Sequence, residues 1–171
     1  QLWQEYYDIP TYILELPPSM DHHKYLVDQM QDAIEWMEKV TGRTYNDSLL
    51  IPAVENEWES RVLWARMCMD LKTIPSPLDQ LQMFSFEATF WRGRHQPVAL
   101  ELMRMARDEV AFRAANHIAA LPTERCRLLH EGVATWFKSQ VLRYPRRYGA
   151  VYMGSQQLYG DWGAYTMEED G

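Results

Sequence analysis

Residues 126–154, CRLLHEGVATWFKSQVLRYPRRYGAVYMG, constrain the fold more than any other part of the chain, because they read as a strand, a loop, a helix and a second strand. Arg127 to His130 is a short, partly apolar run stopped by Gly132. Trp136 to Tyr144 then carries Trp136, Phe137, Val141, Leu142 and Tyr144 at helical intervals, with Thr135 placed to cap it. Pro145 ends the helical pattern, Gly149 turns the chain, and Ala150 to Met153 forms a second apolar run. Strands joined through a helix are parallel and cross over right-handedly. Parallel strands place chemistry in the loops beyond their C-terminal ends, here Glu131 to Thr135 and Gly154 to Gln157.

A similar pattern opens the chain. Leu2 to Tyr7 reads as the last turns of a helix, and Thr11 to Leu16 is a β-prone run closed by Pro17 and Pro18. The chain starts at Gln1, and no earlier strand stands ready to pair with 11–16, so we expect it to open in mid-fold as the central part of a longer polypeptide.

Helix signals dominate between these ends. Ser19 or Asp21 starts the first helix, Leu26, Met30, Ala33, Met37 and Val40 form its seam, and Gly42 closes it. Asp47 or Ser48 starts the second, with Val54, Trp58, Val62, Ala65 and Met69 as its seam and Thr73-Ile74-Pro75 as its stop. Ser76-Pro77 is expected to cap the third, which runs through Leu78, Leu81 and Phe84 to Gly93. The fourth starts near Pro97, uses Val98, Leu102, Met105, Ala106 and Val110, and fades around His117.

A net charge of −7 over 171 residues excludes a nucleic-acid partner as the first expectation, since the only basic group is Arg143, Arg146 and Arg147. Those arginines suit a solvated helix end or an anionic ligand such as a phosphate. No stretch approaches the roughly eighteen apolar residues of a membrane span, and no signal peptide is visible, so a cytoplasmic protein is expected. Two cysteines, Cys68 and Cys126, build neither a disulfide framework nor a CxxC metal site. Cys68 falls beside a seam position and reads as a small buried hydrophobe. Cys126 lies at the wrong end of its strand for a ligand site.

The candidates for chemistry are few. His130 and Glu131 end a strand and enter a loop, where proton transfer and helix capping are both open to them. His22 and His23 follow the end of the run 11–16, but neighbours on a helix point about 100° apart and do not share a metal easily. A polar first turn is the more common reading of the pair, and as they follow a strand's C-terminal end either is open to a role as proton donor near bound substrate. Phosphate-binding glycine loops and the Gly-x-Ser-x-Gly elbow are absent from the sequence.

Taken in order, DIPTYILELP, KYLVDQMQDAIEWMEKVTGRTYNDSLLIPAVENEWESR, PSPLDQLQMF and CRLLHEGVATWF leading to YGAVYMG resemble the benzoyl-CoA reductase and 2-hydroxyacyl-CoA dehydratase subunit family. EKVTGR and HEGVATW are the most particular of these motifs. The resemblance implies an α/β fold: parts of two Rossmann-like parallel-sheet lobes connected by about four helices. On that scheme residues 1–20 end the first lobe, 21–122 are the helical segment, and 123–171 begin the second lobe.

The resemblance also implies a 4Fe–4S cluster in the complete subunit, held by three cysteines outside these residues, so neither Cys68 nor Cys126 is taken as a ligand and no metal ligand is assigned. It implies an acyl-CoA substrate, a homologous second subunit and an ATP-hydrolysing iron–sulfur partner that donates electrons, with no nucleic acid and no membrane. The leading expectation is an oxidoreductase of the benzoyl-CoA reductase type, toward which the tryptophans Trp58, Trp64, Trp91 and Trp136 tilt the reading. The alternatives are a 2-hydroxyacyl-CoA dehydratase, which is a lyase, and a non-catalytic helical assembly subunit. His130, Glu131 and His22 are the expected catalytic groups, and Gly132, Val133, Trp136, Gly154, Ser155 and Gln156 the expected lining of the acyl-CoA site. The segment alone is expected to be inactive.

Overall fold

The computed structural model describes residues 2–132, 138 and 140–155. The chain divides into two compact units, 1–48 and 49–171.

The first unit contains α1 (Leu2–Tyr7), a single 3-10 turn (Met20–His22) and α2 (His23–Thr41). Gly42 closes α2 in the left-handed region, where its amide donates to the Glu38 carbonyl at 2.9 Å. The run Thr11 to Leu16 is not a strand, which corrects the sequence reading. Its backbone instead meets the side chain of Gln29: the Glu15 N–H donates to Oε1 at 2.8 Å, and Nε2 donates to the Glu15 carbonyl at 2.9 Å. One amide thus satisfies both backbone groups of Glu15, as a neighbouring strand would. Tyr12 completes the contact, stacking on Trp36 with centroids 5.7 Å apart and donating to the Gln29 carbonyl. The expected seam of α2 is only partly covered: Met30, Met37 and Val40 are exposed, and Leu26, Ala33, Ile34 and Trp36 are half-buried.

The second unit holds the core. It is formed by most of α3 (Asp47–Asp70), α4 (Gln80–Gly93), α5 (Pro97–Ala115), β1 (Cys126–His130), α6 (Gln140–Arg143) and β2 (Ala150–Ser155). Trp64, Met67, Leu71, Met83 and Val110 are essentially inaccessible and pack with Met103, Leu121, Val151 and Met153. On α3 the buried residues are Ser60, Leu63, Trp64, Ala65, Met67 and Cys68, whereas Val54, Trp58 and Met69 are exposed. On α5 they are Ala99, Leu100, Met103, Ala106 and Val110, with Val98, Leu102 and Met105 outside. Of the expected seams, Ala65 on α3 and Ala106 and Val110 on α5 are buried, while the other buried positions come from a second apolar stripe that spacing alone does not select, and small residues decide it. Ser60 lies against the chain at Arg94, and Ala99 against Gly93, where a larger face would hold the helices apart.

The cap of α4 is Asp79 rather than Ser76. Asp79 Oδ1 accepts the Gln82 amide at 3.0 Å while Gln82 Oε1 accepts the Asp79 amide at 3.0 Å, a reciprocal capping box. Ser76 is spent inside its own loop, donating to the Leu78 carbonyl at 2.7 Å. Glu124 anchors that loop by accepting the Ser76 amide at 2.6 Å, and Arg127 does so by donating to the Lys72 carbonyl at 2.9 Å. These bonds tie the entry of α4 to the entry of β1.

β1 and β2 form a two-stranded parallel sheet, as the sequence predicts. The α/β character of the chain rests on this sheet and the helices beside it. Among the described residues no helix is long and apolar enough to cross a membrane.

Candidate functional site

Parallel pairing brings the C-terminal ends of β1 and β2 to one edge. Leu128 pairs with Tyr152, but Leu129 pairs with Gly154 and His130 with Ser155, so Met153 is an extra residue in β2. A bulge of this kind re-aims the residues beyond it. Its side chain is buried in the core, which holds the offset in place.

The imidazole of His130 stands edge-on to Tyr152, with centroids 6.4 Å apart and planes at 90°. Its Nδ1 is buried with no hydrogen-bond partner among the described residues. A buried polar atom left in that state costs about 1–3 kcal/mol, so the edge holds an unused donor or acceptor beside the loop. Ser155, opposite His130, is buried. Glu131 is exposed, and Gly132 follows at φ 94°, in the left-handed region, with open space where a Cβ would stand.

The structure therefore brings four expected site residues, His130, Gly132, Gly154 and Ser155, to one sheet edge, with Glu131 in the turn between them. Val133, Trp136 and Gln156 lie outside the described residues. His22 belongs to the first unit, where it is exposed with Ser19 Oγ 3.0 Å from Nδ1. Sequence reasoning missed Tyr152, whose ring orients His130. Its position in β2, alternating with the inward Val151 and Met153, is the signal that could have revealed it.

The residues present do not form a cluster site. Cys68 is buried in α3, where desolvation pushes its thiol up to about 12, so a thiolate ligand is disfavoured. Cys126 is exposed at the opposite end of β1 from His130. Among the described residues no three His, Cys, Asp or Glu side chains gather to hold a metal ion. Trp64, one of the residues that tilted the sequence reading toward an aromatic substrate, is wholly interior and belongs to the core.

The two strands form a parallel sheet with these candidate groups at their C-terminal ends. A family model for the 2-hydroxyglutaryl-CoA dehydratase D-component matches residues 1–171, and the chain belongs to that family. It is 27% identical over 136 residues to the (R)-phenyllactyl-CoA dehydratase alpha subunit of Clostridium sporogenes, covering 75% of this chain and 33% of that protein. It is 23% identical over 139 residues to the (R)-2-hydroxyglutaryl-CoA dehydratase alpha subunit of Acidaminococcus fermentans, covering 77% of this chain and 29% of that one. The lactoyl-CoA dehydratase alpha subunit of Anaerotignum propionicum is 26% identical over 136 residues, covering 75% of this chain and 32% of the relative. The chain thus spans about a third of the length of the curated relatives it matches. These relatives reverse the order of the two enzyme readings. All three are dehydratase subunits, so the lyase reading takes precedence over the benzoyl-CoA reductase reading.

Proposed function

We propose that this chain is part of the alpha subunit of a 2-hydroxyacyl-CoA dehydratase, a lyase removing water from a 2-hydroxyacyl thioester. The observation that carries this reading is the family match across the whole chain, joined to three dehydratase alpha subunits among its relatives. In the complete subunit, residues 1–20 and 123–171 belong to two Rossmann-like lobes, and 21–122 to the helices between them. A second subunit and an ATP-hydrolysing activator complete the enzyme, and the cluster ligands come from cysteines other than Cys68 and Cys126.

Chemistry limits what this chain's own groups do. Loss of water takes the hydroxyl from the carbon next to the thioester and a proton from the carbon after it. That second carbon is too far from the carbonyl for its hydrogen to be acidic, so a side-chain base alone does not drive the reaction. We assign His130 to proton traffic at the sheet edge, since its Nδ1 is buried there without a partner among the described residues. Glu131 is a second proton carrier. Gly132, Gly154 and Ser155 line the edge with backbone and a small hydroxyl, and Val133, Trp136 and Gln156 extend it.

The test is His130→Ala and His130→Gln in the full-length subunit assembled with its partners. Turnover falls by about 10²–10⁴-fold with cluster absorbance intact. Unchanged turnover removes His130 from the mechanism.

A further inference from the structure

At the other end of the same two strands lies a basic cleft that the dehydratase reading does not use. Thr123, Arg125, Arg146, Arg147, Tyr148 and Gly149 line a hollow of about 280 Å³. Arg147 also belongs to a neighbouring hollow of about 410 Å³, formed with Gln140, Arg143 and Tyr144. Four arginines from three segments therefore converge on one surface of a chain whose net charge is −7.

Charge balance around them is incomplete. Arg146 pairs with the buried carboxylate of Asp79 at 3.0 Å. Arg125, Arg143 and Arg147 have no carboxylate partner among the described residues. Helix-end electrostatics favour a cation near terminal carbonyls, which accounts for Arg143 and Arg147 taken singly. It does not account for Arg125, which precedes β1 on a separate segment. Like charges gathered without counter-charges repel one another, and an anion in the cleft would relieve that.

The cleft is also built rather than incidental. Gly149, at φ 76°, passes so close to Arg125 that an added Cβ would stand 2.9 Å from its Cγ and 2.9 Å from the Thr123 carbonyl. The Gly149 carbonyl accepts the Arg125 amide at 2.7 Å, which fixes the origin of that side chain. Tyr144 and Tyr148 stand side by side with hydroxyls 3.1 Å apart and ring centroids 5.5 Å apart. That hydrogen bond raises the Tyr148 hydroxyl above its ordinary value.

We propose that this cleft binds the phosphate groups of a small phosphate-bearing ligand, with Arg125, Arg143 and Arg147 pairing its oxygens and Tyr144 and Tyr148 flanking them. Guanidinium groups suit this role because their forked donors match phosphate oxygens and remain charged at every working pH. The phosphate is either part of a nucleotide or free phosphate. The cleft and His130 lie at opposite ends of β1.

Calorimetric titration of the full-length protein with ADP and, separately, with inorganic phosphate tests it. Binding that weakens about tenfold or more in Arg147→Gln and in Arg143→Gln, and weakens with added salt, is the expected result. Arg143 is exposed, so its variant folds even if a change at Arg147 disturbs the turn. Tighter ADP binding identifies a nucleotide, and equal binding of both probes identifies free phosphate. No binding of either probe, or binding equal in wild type and both variants, overturns the proposal.

Discussion

Asp79 holds two elements at once: Oδ1 accepts the Gln82 amide at the start of α4, and Oδ2 forms an ion pair with Arg146 Nε, 3.0 Å away in the turn before β2. The carboxylate is buried, so both bonds form out of water. Asp79→Ala removes the cap and leaves Arg146 without its partner. Arg146 is about one-third exposed, at 31%, and recovers part of that loss in water. A destabilisation of about 1–3 kcal/mol is expected by denaturant unfolding, and Asp79→Asn, which keeps the cap acceptor, loses less.

Gln80, the next residue, is fully buried, and among the described residues neither its amide nitrogen nor its carbonyl oxygen has a hydrogen-bond partner. Replacing such a group with an apolar one of similar volume costs little or stabilises. Gln80→Met therefore leaves the thermal midpoint unchanged or raises it. A fall equivalent to about 2 kcal/mol or more shows that the amide serves a partner in the protein as it exists in solution.

The two cysteines differ in reactivity. Alkylation of the native protein followed by peptide mapping labels Cys126, which is exposed, and labels Cys68 only on unfolding. Burial raises the Cys68 thiol from 9.0 to about 12, so the folded state holds this proton more tightly than the unfolded state. The contribution is fully present below about pH 9 and is lost as pH rises toward about 12. The stability difference between wild type and Cys68→Ala shrinks across that window. A difference that stays constant with pH contradicts the assignment.

Gly149→Ala puts a Cβ on a residue at φ 76° and drives it to 2.9 Å from the Thr123 carbonyl. Backbone strain alone costs about 1–2 kcal/mol, and the contact adds to it. The thermal midpoint falls by several degrees, whereas Gly132→Ala, with φ 94° but open space around it, falls less.

Local signals carried much of this architecture. Gly42, Pro97, Pro145 and Gly149 marked element ends correctly because each acts through its own backbone geometry. The parallel pair was legible because a helix pattern sits between two apolar runs. The seams of α3 and α5 were legible only in part, at Ala65, Ala106 and Val110, since both helices offer two stripes and the choice depends on where Ser60 and Ala99 meet the chain around Gly93. The run 11–16 looked like a strand because β propensity describes a half-buried extended chain, and Gln29 supplies the partner that a strand would have. At the site, His130 and Ser155 could be placed at strand ends, but the bulge at Met153 that pairs them has no local sequence signature. Arg125 escaped notice because it is distant in sequence from Arg143 to Arg147.

Turnover tests the dehydratase reading most directly. The full-length subunit, assembled anoxically with its second subunit and activator, is supplied with 2-hydroxyacyl-CoA thioesters and, separately, with benzoyl-CoA. Release of water to give the unsaturated acyl-CoA, with no reduction of benzoyl-CoA, is the predicted result. Ring reduction of benzoyl-CoA without turnover of any 2-hydroxyacyl-CoA contradicts it.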